Sequence, residues 1–310
     1  MFMSPRVHLE PALAEALREL LAGNGDGDRR SAATIDTVSE IGGGSISRTL
    51  LVASGKRRCF VKLHDAALAD MFTAEADGLN ALTSCPALRV PRVVGHGVSG
   101  RHAYLVLEYL RLHALAEAGD AALAGRALAE LHRIQGTRYG WQRDNFIGST
   151  PQSNAWDDNW PSFFARQRLL PQLLLAGRHG QHSSLVAKGE RLAAKLQLLF
   201  AGYQPPASLL HGDLWSGNAA IDDSGTLALF DPAVHFGDRE ADLAMSELFG
   251  GFPKRFYAAY YEAWPLADGF AQRQTLYQLY HVLNHLQLFG SSYLRQAERM
   301  LSMLLAEIDG

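Results

Sequence analysis

The sequence predicts an α+β fold of two lobes, a small lobe built on an antiparallel sheet and a larger, mainly helical lobe. Apolar residues up to residue 110 fall mostly in short strand-like segments, whereas from residue 111 onward they recur mainly with helical period. In addition, 310 residues with 47% hydrophobic and 20% charged side chains suffice to bury one large core or two lobes. We therefore predict one lobe over residues 1–110 and a second lobe over residues 111–310.

The first lobe is predicted to contain two helices and a sheet. Leucine and alanine recur at helical spacing over residues 9–21, and Gly23 ends this helix. A second helix is predicted over residues 68–82. The strands are predicted over residues 34–41, 47–53, 58–63, 90–94 and 103–107.

The second lobe is predicted from apolar residues that recur with helical period. Its helices are predicted over residues 120–134, 160–176, 184–200, 241–249 and 272–289. Strand-like sequence survives only near residues 210–231, and residues 108–112 form a short joint to the first lobe. We expect a cleft between the lobes, with polar loops of the second lobe facing it.

Composition and charge argue against several classes of partner. The net charge is −3, and no cluster of Lys and Arg interleaved with aromatic residues indicates a nucleic-acid surface. The N-terminus lacks a basic region followed by an apolar one, and no apolar run approaches the length of a membrane span. Cys59 and Cys85 are too few for a disulfide framework. We therefore expect a cytoplasmic protein that acts on a small solute, without nucleic acid or membrane as a partner.

The most informative segment is His-Gly-Asp-Leu-Trp-Ser-Gly-Asn over residues 211–218, which Asp231 follows thirteen positions later. Phosphoryl transfer from a nucleotide needs a carboxylate to take the acceptor's proton and oxygen ligands for Mg²⁺. Asp213 and Asn218 have the spacing of a kinase catalytic loop, and a hairpin over residues 221–230 brings Asp231 beside them. Together these residues predict a kinase.

Each of these three residues has a role in that prediction. Asp213 is the expected catalytic base. Asn218 and Asp231 are the expected Mg²⁺ ligands, because amide and carboxylate oxygens suit this ion. The alternative is that all three stabilise turns around the hairpin. Their agreement with one motif as a set favours the catalytic interpretation.

A glycine-rich turn and a lysine indicate where the phosphates of ATP bind. Gly43, Gly44 and Ser45 lie between the first two strands, where backbone N–H groups can approach phosphates closely. Lys62 follows on the third strand, in a segment that resembles the lysine strand of kinases, and Glu75 on the next helix is its expected partner. The alternatives are an ordinary turn and a solvated helix charge. The order of the motifs favours an ATP site.

Further residues are expected at the edges of the site. Glu108, Tyr109 and Leu110 end the last strand at the joint, where backbone groups would bind the edge of adenine. Trp215 either stacks on the substrate or fills the lobe interface. His285 is expected to pack in the core, with the substrate pocket as its alternative position.

The chain resembles the fructosamine kinase, or ketosamine-3-kinase, family, which shares a protein-kinase-like fold with aminoglycoside phosphotransferases. The resemblance spans nearly the whole chain. The segments that carry it are residues 210–218, 231–234, 237–240, 248–253, 276–280, 283–285 and 289–290, together with 145–148, 151–154 and 160–164. The last three segments separate the chain from other kinases.

The resemblance implies ATP- and Mg²⁺-dependent phosphorylation of the O3 hydroxyl of a ketosamine, a sugar bound through C1 to a free or protein-linked amine. The 3-phosphate then decomposes and frees the amine. The resemblance further implies that Asp213 is the proton acceptor, Lys62 the phosphate-binding lysine and residues 108–110 the adenine-binding joint. The residues expected to bind the substrate are Trp215, Asn154 and His285.

Two departures from family patterns narrow this expectation. Ser45 stands where some family members carry a cysteine, so thiol regulation at the glycine-rich turn is not expected. Asp231 is followed by Pro232 rather than Phe-Gly, and no Ala-Pro-Glu segment follows, so the activation segment of a protein kinase has no counterpart. Protein hydroxyls are therefore poor candidates for the main substrate.

Alternatives to this activity remain. Another sugar, choline or aminoglycoside kinase on the same fold is the nearest, and residues 145–154 and 278–285 would discriminate between them. A nucleotide-binding pseudokinase scaffold is less favoured, because the base, the lysine and the metal ligands are all retained. The preferred ketosugar, the amine carrier and the choice between monomer and weak dimer cannot be read from the sequence.

Overall fold

The computed structural model describes residues 8–23, 34–42, 47–115, 121–178 and 182–309. Gly43, Gly44 and Ser45 of the glycine-rich turn lie outside these ranges. In the described part, an antiparallel sheet with its helices is followed by a mainly helical lobe, which confirms the predicted α+β class. The exact boundary at residue 110 stays a prediction.

The first lobe contains a five-stranded antiparallel sheet in the order β1-β2-β3-β5-β4. Its strands are Thr37–Glu40 (β1), Arg48–Ser54 (β2), Arg57–Asp65 (β3), Val93–Ser99 (β4) and His102–Glu108 (β5). Its helices are Pro11–Gly23 (α1) and Ala69–Leu82 (α2), with a 3₁₀ turn at Ala66–Leu68. Strand β4 begins three residues later than predicted, beyond Pro91, because proline has no N–H group for a sheet ladder.

The alternation of side chains along β3 gives the sheet two different faces. Cys59, Val61 and Leu63 pack into the apolar cluster that includes α1. Lys62 points to the opposite face, where it meets Glu75 on α2. Because strand side chains alternate with period two, this register fixes the lysine on the side of the cleft.

The second lobe is mainly helical. Its helices are Ala121–His132 (α3), Trp160–Phe164 (α4), Leu170–Ala176 (α5), Ser183–Lys195 (α6), Glu240–Leu248 (α7), Lys254–Ala263 (α8), Phe270–Phe289 (α9) and Leu294–Asp309 (α10). A π-helical turn, Ala165–Leu169, divides the predicted helix over residues 160–176. Further 3₁₀ turns cover Leu196–Phe200 and Ser291–Tyr293. Within the described ranges no helix is both long and apolar enough to cross a membrane.

Helices α8 and α10 are absent from the sequence-based prediction. Helix α10 nevertheless buries one apolar stripe at helical spacing, formed by Ala297, Met300, Leu301, Leu304 and Leu305. The helical period of α10 is therefore visible in the sequence. Helix α8 packs against α3 and carries the buried Tyr260.

Short strands hold the loops of the second lobe in place. They are Leu112–His113 (β6), Asn145–Ile147 (β7), Thr150–Gln152 (β8), Ser208–Leu210 (β9), Ala219–Asp222 (β10), Leu227–Leu229 (β11) and His235–Gly237 (β12). They form a β11-β10-β6 sheet and the pairs β9-β12 and β7-β8, all antiparallel. Strands β9 and β10 flank residues 211–218, and β11 leads to Asp231.

Apolar packing joins the two lobes beside this segment. Phe72 and Leu79 of α2, Leu105 of β5, Leu209 of β9 and Leu229 of β11 belong to one buried cluster. Burial of side chains of this size contributes about 1.5–3 kcal/mol each to folding. The elements that carry Lys62 and Asp213 therefore share one core.

Candidate active site

The backbone of the catalytic loop is held by a buried carboxylate on α7. Asp242 accepts hydrogen bonds from His211 N at 2.7 Å and Gly212 N at 2.9 Å. It also accepts one from His132 Nε2 at 3.2 Å. Gly212 has φ +84°, and a Cβ there would lie 2.1 Å from Ala233 O, so only glycine fits this turn. The loop conformation is thus fixed from within the lobe.

Replacing Asp242 with alanine should destabilise the protein by at least about 3 kcal/mol, because three buried donors would lose their acceptor. The free energy of unfolding from urea titration measures this loss. Asp309→Ala, which removes only surface ion pairs with Arg191 and Lys195, should leave stability nearly unchanged. Equal stability of the two variants would contradict the role of Asp242.

His211 braces the loop from the inside. Its Nε2 donates to Phe230 O at 3.0 Å, and its Nδ1 accepts from Asp213 N at 3.2 Å. Burial lowers the pKa of His211, so the ring stays neutral and can accept at Nδ1. The brace ties the catalytic loop to the residue before Asp231.

The carboxylate of Asp213 lies at the inner wall of the cleft. Asn218 Nδ2 donates to Asp213 O at 2.9 Å and to Asp213 Oδ2 at 3.1 Å. Burial, and then the charge of Asp231, raise the pKa of Asp213 to about 7. A carboxylate of raised pKa is a stronger proton acceptor, which suits a general base.

Lys62 bridges two carboxylates across the cleft. Its Nζ lies 2.7 Å from Glu75 Oε1 and 2.6 Å from Asp231 Oδ1. Burial alone would lower the pKa of Lys62, but the carboxylates of Asp231 and Glu75 outweigh it and raise this pKa. Asp231 adopts φ +58°, a left-handed conformation that is uncommon outside glycine and clusters at functional sites. This conformation brings its carboxylate to the lysine.

One cavity of about 470 Å³ is lined by the expected base, both expected metal ligands and the Lys62–Glu75 pair. It is lined by Lys62, Glu75, Asp213, Trp215, Asn218, Asp231 and His285, among others. Asn218 uses its Nδ2 on Asp213, which leaves its amide oxygen for another partner, and a third of the Asp231 side chain is exposed. Oxygen donors of this type fit Mg²⁺, which keeps several waters and binds phosphate oxygens.

Asn154 does not reach this cavity, which corrects the expectation of direct substrate contact. It is 1% exposed, and its Nδ2 donates to Arg143 O at 3.1 Å and to Asn145 Oδ1 at 2.9 Å. Its Oδ1 accepts from Arg168 Nη2 at 2.6 Å. All polar atoms of the side chain are therefore engaged inside the protein.

Aromatic rings form the outer wall of the cavity. Trp215 contacts Phe249 edge-on with ring centroids 6.2 Å apart, and Phe249 lies 4.7 Å from His285. His285 donates from Nδ1 to His281 O at 2.8 Å, and burial lowers its pKa. His285 is thus a neutral ring on the cavity wall, and Trp215 lines the same cavity.

Part of the backbone at the joint between the lobes forms hydrogen bonds within the protein. Glu108 N donates to Arg92 O at 2.9 Å, and Tyr109 N donates to Arg58 O at 3.3 Å. The Glu108 carboxylate binds Arg89 at 2.6 Å. Glu108 and Tyr109 line a separate cavity, and the adenine-binding role of residues 108–110 stays a prediction.

Several cavity residues were not singled out from the sequence. They are Asn145 and Phe146 of β7, Met71 of α2 and Asn284 and Leu288 of α9. The segments 145–148 and 283–285 carry the family resemblance, but an amide in such a segment looks the same whether it faces the cavity or the interior. This wall forms where α2 contacts β7, and such a tertiary contact cannot be read from either segment alone.

Buried histidines make stability depend on pH. Burial lowers the pKa of His281 to about 3, against about 6.5 in an unfolded chain. As pH falls through this window the unfolded chain binds the proton first, so acidification favours unfolding. We expect His281 alone to lower the free energy of unfolding by about 2 kcal/mol between pH 7 and pH 5.

Urea titrations at both pH values measure this loss. His281→Gln should remove that part of the pH dependence, whereas His96→Gln, at an exposed position on β4, should not. Parallel pH dependence in the wild-type protein and His281→Gln would contradict the assignment.

Known proteins resemble the chain over most of its length. The sequence profile of the fructosamine kinase family matches residues 26–307. A probable ketoamine kinase of Synechocystis is 45% identical over 266 residues, covering 86% of this chain and 89% of that protein. A chloroplastic protein-ribulosamine 3-kinase of Oryza sativa subsp. japonica is 39% identical over 266 residues, covering 84% and 77%.

The fold is shared with a solved structure as well. The crystal structure of a candidate fructosamine-3-kinase from Haemophilus somnus superposes with a TM-score of 0.83. It is 29% identical in sequence, and the match covers 93% of this chain and 96% of that one. The profile match and the two relatives each extend across both lobes. The chain therefore belongs to the fructosamine kinase family.

Proposed function

We propose that this protein is an ATP-dependent kinase that phosphorylates the O3 hydroxyl of ketosamines. The observation that carries the proposal is that Asp213, Asn218, Asp231 and the Lys62–Glu75 pair all face one cavity. Two of its relatives are named for ketoamine and protein-ribulosamine kinase activity, which supports the same class of acceptor here. The 3-phosphate would then decompose and release the amine.

The nucleotide's phosphates are assigned to Lys62 and to the Mg²⁺ ligands. Lys62 stays protonated between Glu75 and Asp231, and it is the only lysine lining this cavity within the described ranges. It would bind the α and β phosphates, as the corresponding lysine does in kinases. Asn218 and Asp231 would hold Mg²⁺, which neutralises the charge that develops on the phosphates. Gly43, Gly44 and Ser45 are proposed to cover the phosphates.

Asp213 is assigned to the acceptor hydroxyl. Its carboxylate would accept the O3 proton as the bond from O3 to the γ phosphorus forms and the bond to the β-phosphate oxygen breaks, releasing ADP. Asn218 orients the carboxylate through Oδ2 at 3.1 Å. The raised pKa, about 7, strengthens the base before the nucleotide binds.

The sugar and its amine are assigned to the aromatic wall. Trp215 and His285 offer ring faces to the apolar face of a sugar, and the neutral His285 does not repel a protonated amine. Aromatic faces also attract cations such as a secondary ammonium. Phe289, which is 51% exposed and lies 5.2 Å from His285, extends this wall toward the amine carrier.

An aminoglycoside kinase is the second candidate. A polycationic acceptor would need an excess of carboxylates, but the acidic residues lining the cavity within the described ranges are Glu75, Asp213 and Asp231. Lys62 pairs with two of them. This charge balance favours an acceptor with one amine.

Initial rates with ATP and a panel of acceptors test the proposal. The panel contains fructose-, ribulose- and erythrulose-lysine adducts and several aminoglycosides, with ADP release coupled to a spectroscopic readout. We expect turnover of at least one ketosamine, with no comparable turnover of any aminoglycoside. Activity on an aminoglycoside and none on ketosamines would overturn it, and ATP binding without turnover of any acceptor would favour a scaffold.

A further inference from the structure

In the part of the chain that the structure describes, a fully buried arginine behind the β7–β8 hairpin has no carboxylate partner. Arg168 is 2% exposed and lies on the π-helical turn Ala165–Leu169. Within the described ranges it forms no ion pair, unlike the equally buried Arg273, whose Nε lies 2.7 Å from Glu240. Burying an unpaired cation is costly. A π-helical turn within a helix often marks a functional position.

The guanidinium of Arg168 directs its hydrogen bonds to the end of this hairpin. Nη2 donates to Asn154 Oδ1 at 2.6 Å, and Nη1 donates to Ser153 O at 2.5 Å. The guanidinium also lies over the ring of Phe163, 4.8 Å from its centroid. Because the planar donor group is held on two sides, it fixes both the backbone and the side-chain amide beyond β8.

Asn154 connects this arginine to the cavity. Its Nδ2 donates to Asn145 Oδ1 at 2.9 Å, and Asn145 Nδ2 donates to Val234 O at 2.8 Å. Asn145 lines the catalytic cavity, and Val234 follows Asp231 by three positions. A chain of three hydrogen bonds thus runs from Arg168 through the hairpin to the segment that carries Asp231.

We propose that Arg168 is a positioning residue for the acceptor sugar, which it serves by holding Asn154 and, through it, the β7–β8 hairpin against Asp213. The proposal rests on the proposed function, because it assumes that the acceptor occupies the cavity beside this hairpin. Lys62 and Glu75 lie on the first lobe, and within the described ranges neither forms a hydrogen bond or an ion pair with this network. Loss of Arg168 should therefore act on the acceptor and not on ATP.

The test compares Michaelis constants for both substrates in Arg168→Met, which keeps a long side chain but removes every donor. We expect the KM for a ribulosamine to rise about tenfold, with the KM for ATP within about twofold of the wild-type value. Arg273→Met is the matched control, because it also removes a buried guanidinium but lies on a different network. This control should lose stability, but its KM for the ribulosamine should not rise relative to its KM for ATP. A loss of stability without such a selective rise in Arg168→Met would overturn the proposal.

Asn154→Asp provides a second variant in case Arg168→Met fails to fold. It keeps an oxygen for Arg168 but removes the Nδ2 donor to Asn145, so the connection is broken while Arg168 Nη2 keeps its acceptor. The same tenfold rise confined to the acceptor supports the proposal, and an unchanged acceptor KM overturns it. If the wild-type protein phosphorylates a different acceptor, the proposed function fails, and both variants are then measured with that acceptor.

Discussion

Replacing Asp213 with alanine should lower kcat by about 10²-fold or more, the scale of a lost general base and orienting group. The affinity for ATP should stay nearly unchanged, because Lys62 keeps its two carboxylate partners. Steady-state kinetics with a ribulosamine and a direct ATP-binding titration measure the two effects separately. The separation follows from the proposed roles, in which Asp213 serves the acceptor and Lys62 serves the nucleotide.

Asp223→Ala is the matched control for this prediction. Asp223 lies at the exposed β10–β11 turn and pairs with His113 at 2.8 Å, so its loss removes a nearby carboxylate without touching the cavity. It should retain wild-type kcat. Near wild-type turnover in Asp213→Ala would remove this residue from the role of catalytic base.

Replacing Lys62 with methionine should lower kcat/KM for ATP by about 10²-fold, since the phosphates would lose their positioning cation. The substitution also leaves the largely buried Glu75 without its cation, and the partly exposed Asp231 loses the same partner. Breaking such a buried pair costs about 3 kcal/mol of stability. Kinetics should therefore be measured well below the temperature at which this variant unfolds.

Arg101→Met controls for the loss of one positive charge in the same lobe. Arg101 is exposed in the turn between β4 and β5 and pairs with Glu10 on the surface, so this variant should bind and use ATP normally. If Lys62→Met kept the wild-type kcat/KM for ATP, the lysine would have no part in the nucleotide site.

The sequence predicted those parts of the site that depend on local motifs. Asp213 and Asn218 are five positions apart on one loop, and the hairpin of β10 and β11 brings Asp231 beside them. The pairing of Lys62 with Glu75 followed from the order of strand and helix, because β3 and α2 are consecutive elements. In each case the residues lie on one short segment or on consecutive elements, so local geometry brings them together.

The residues that hold the catalytic loop and the hairpin in place could not be predicted from local motifs. Asp242 holds the catalytic loop from thirty positions downstream, and nothing in its helix distinguishes it from a solvated acid. Arg168 and Asn154 meet only because the helix after the hairpin packs behind it. Asn154 was expected in the pocket, but Asn145, whose amide has the same chemistry, lines the cavity instead. Which amide faces inward is decided by tertiary packing.

The position of phosphorylation tests the central claim most directly. Transfer of the γ phosphate from labelled ATP would be measured with a ribulosamine and with its 3-O-methyl analogue, which keeps the sugar and the amine but blocks O3. We expect the intact substrate to be phosphorylated and to release its amine afterwards, and the analogue to bind without accepting phosphate. Phosphorylation of the analogue at the rate of the intact ribulosamine would contradict the assignment of Asp213 to the O3 hydroxyl.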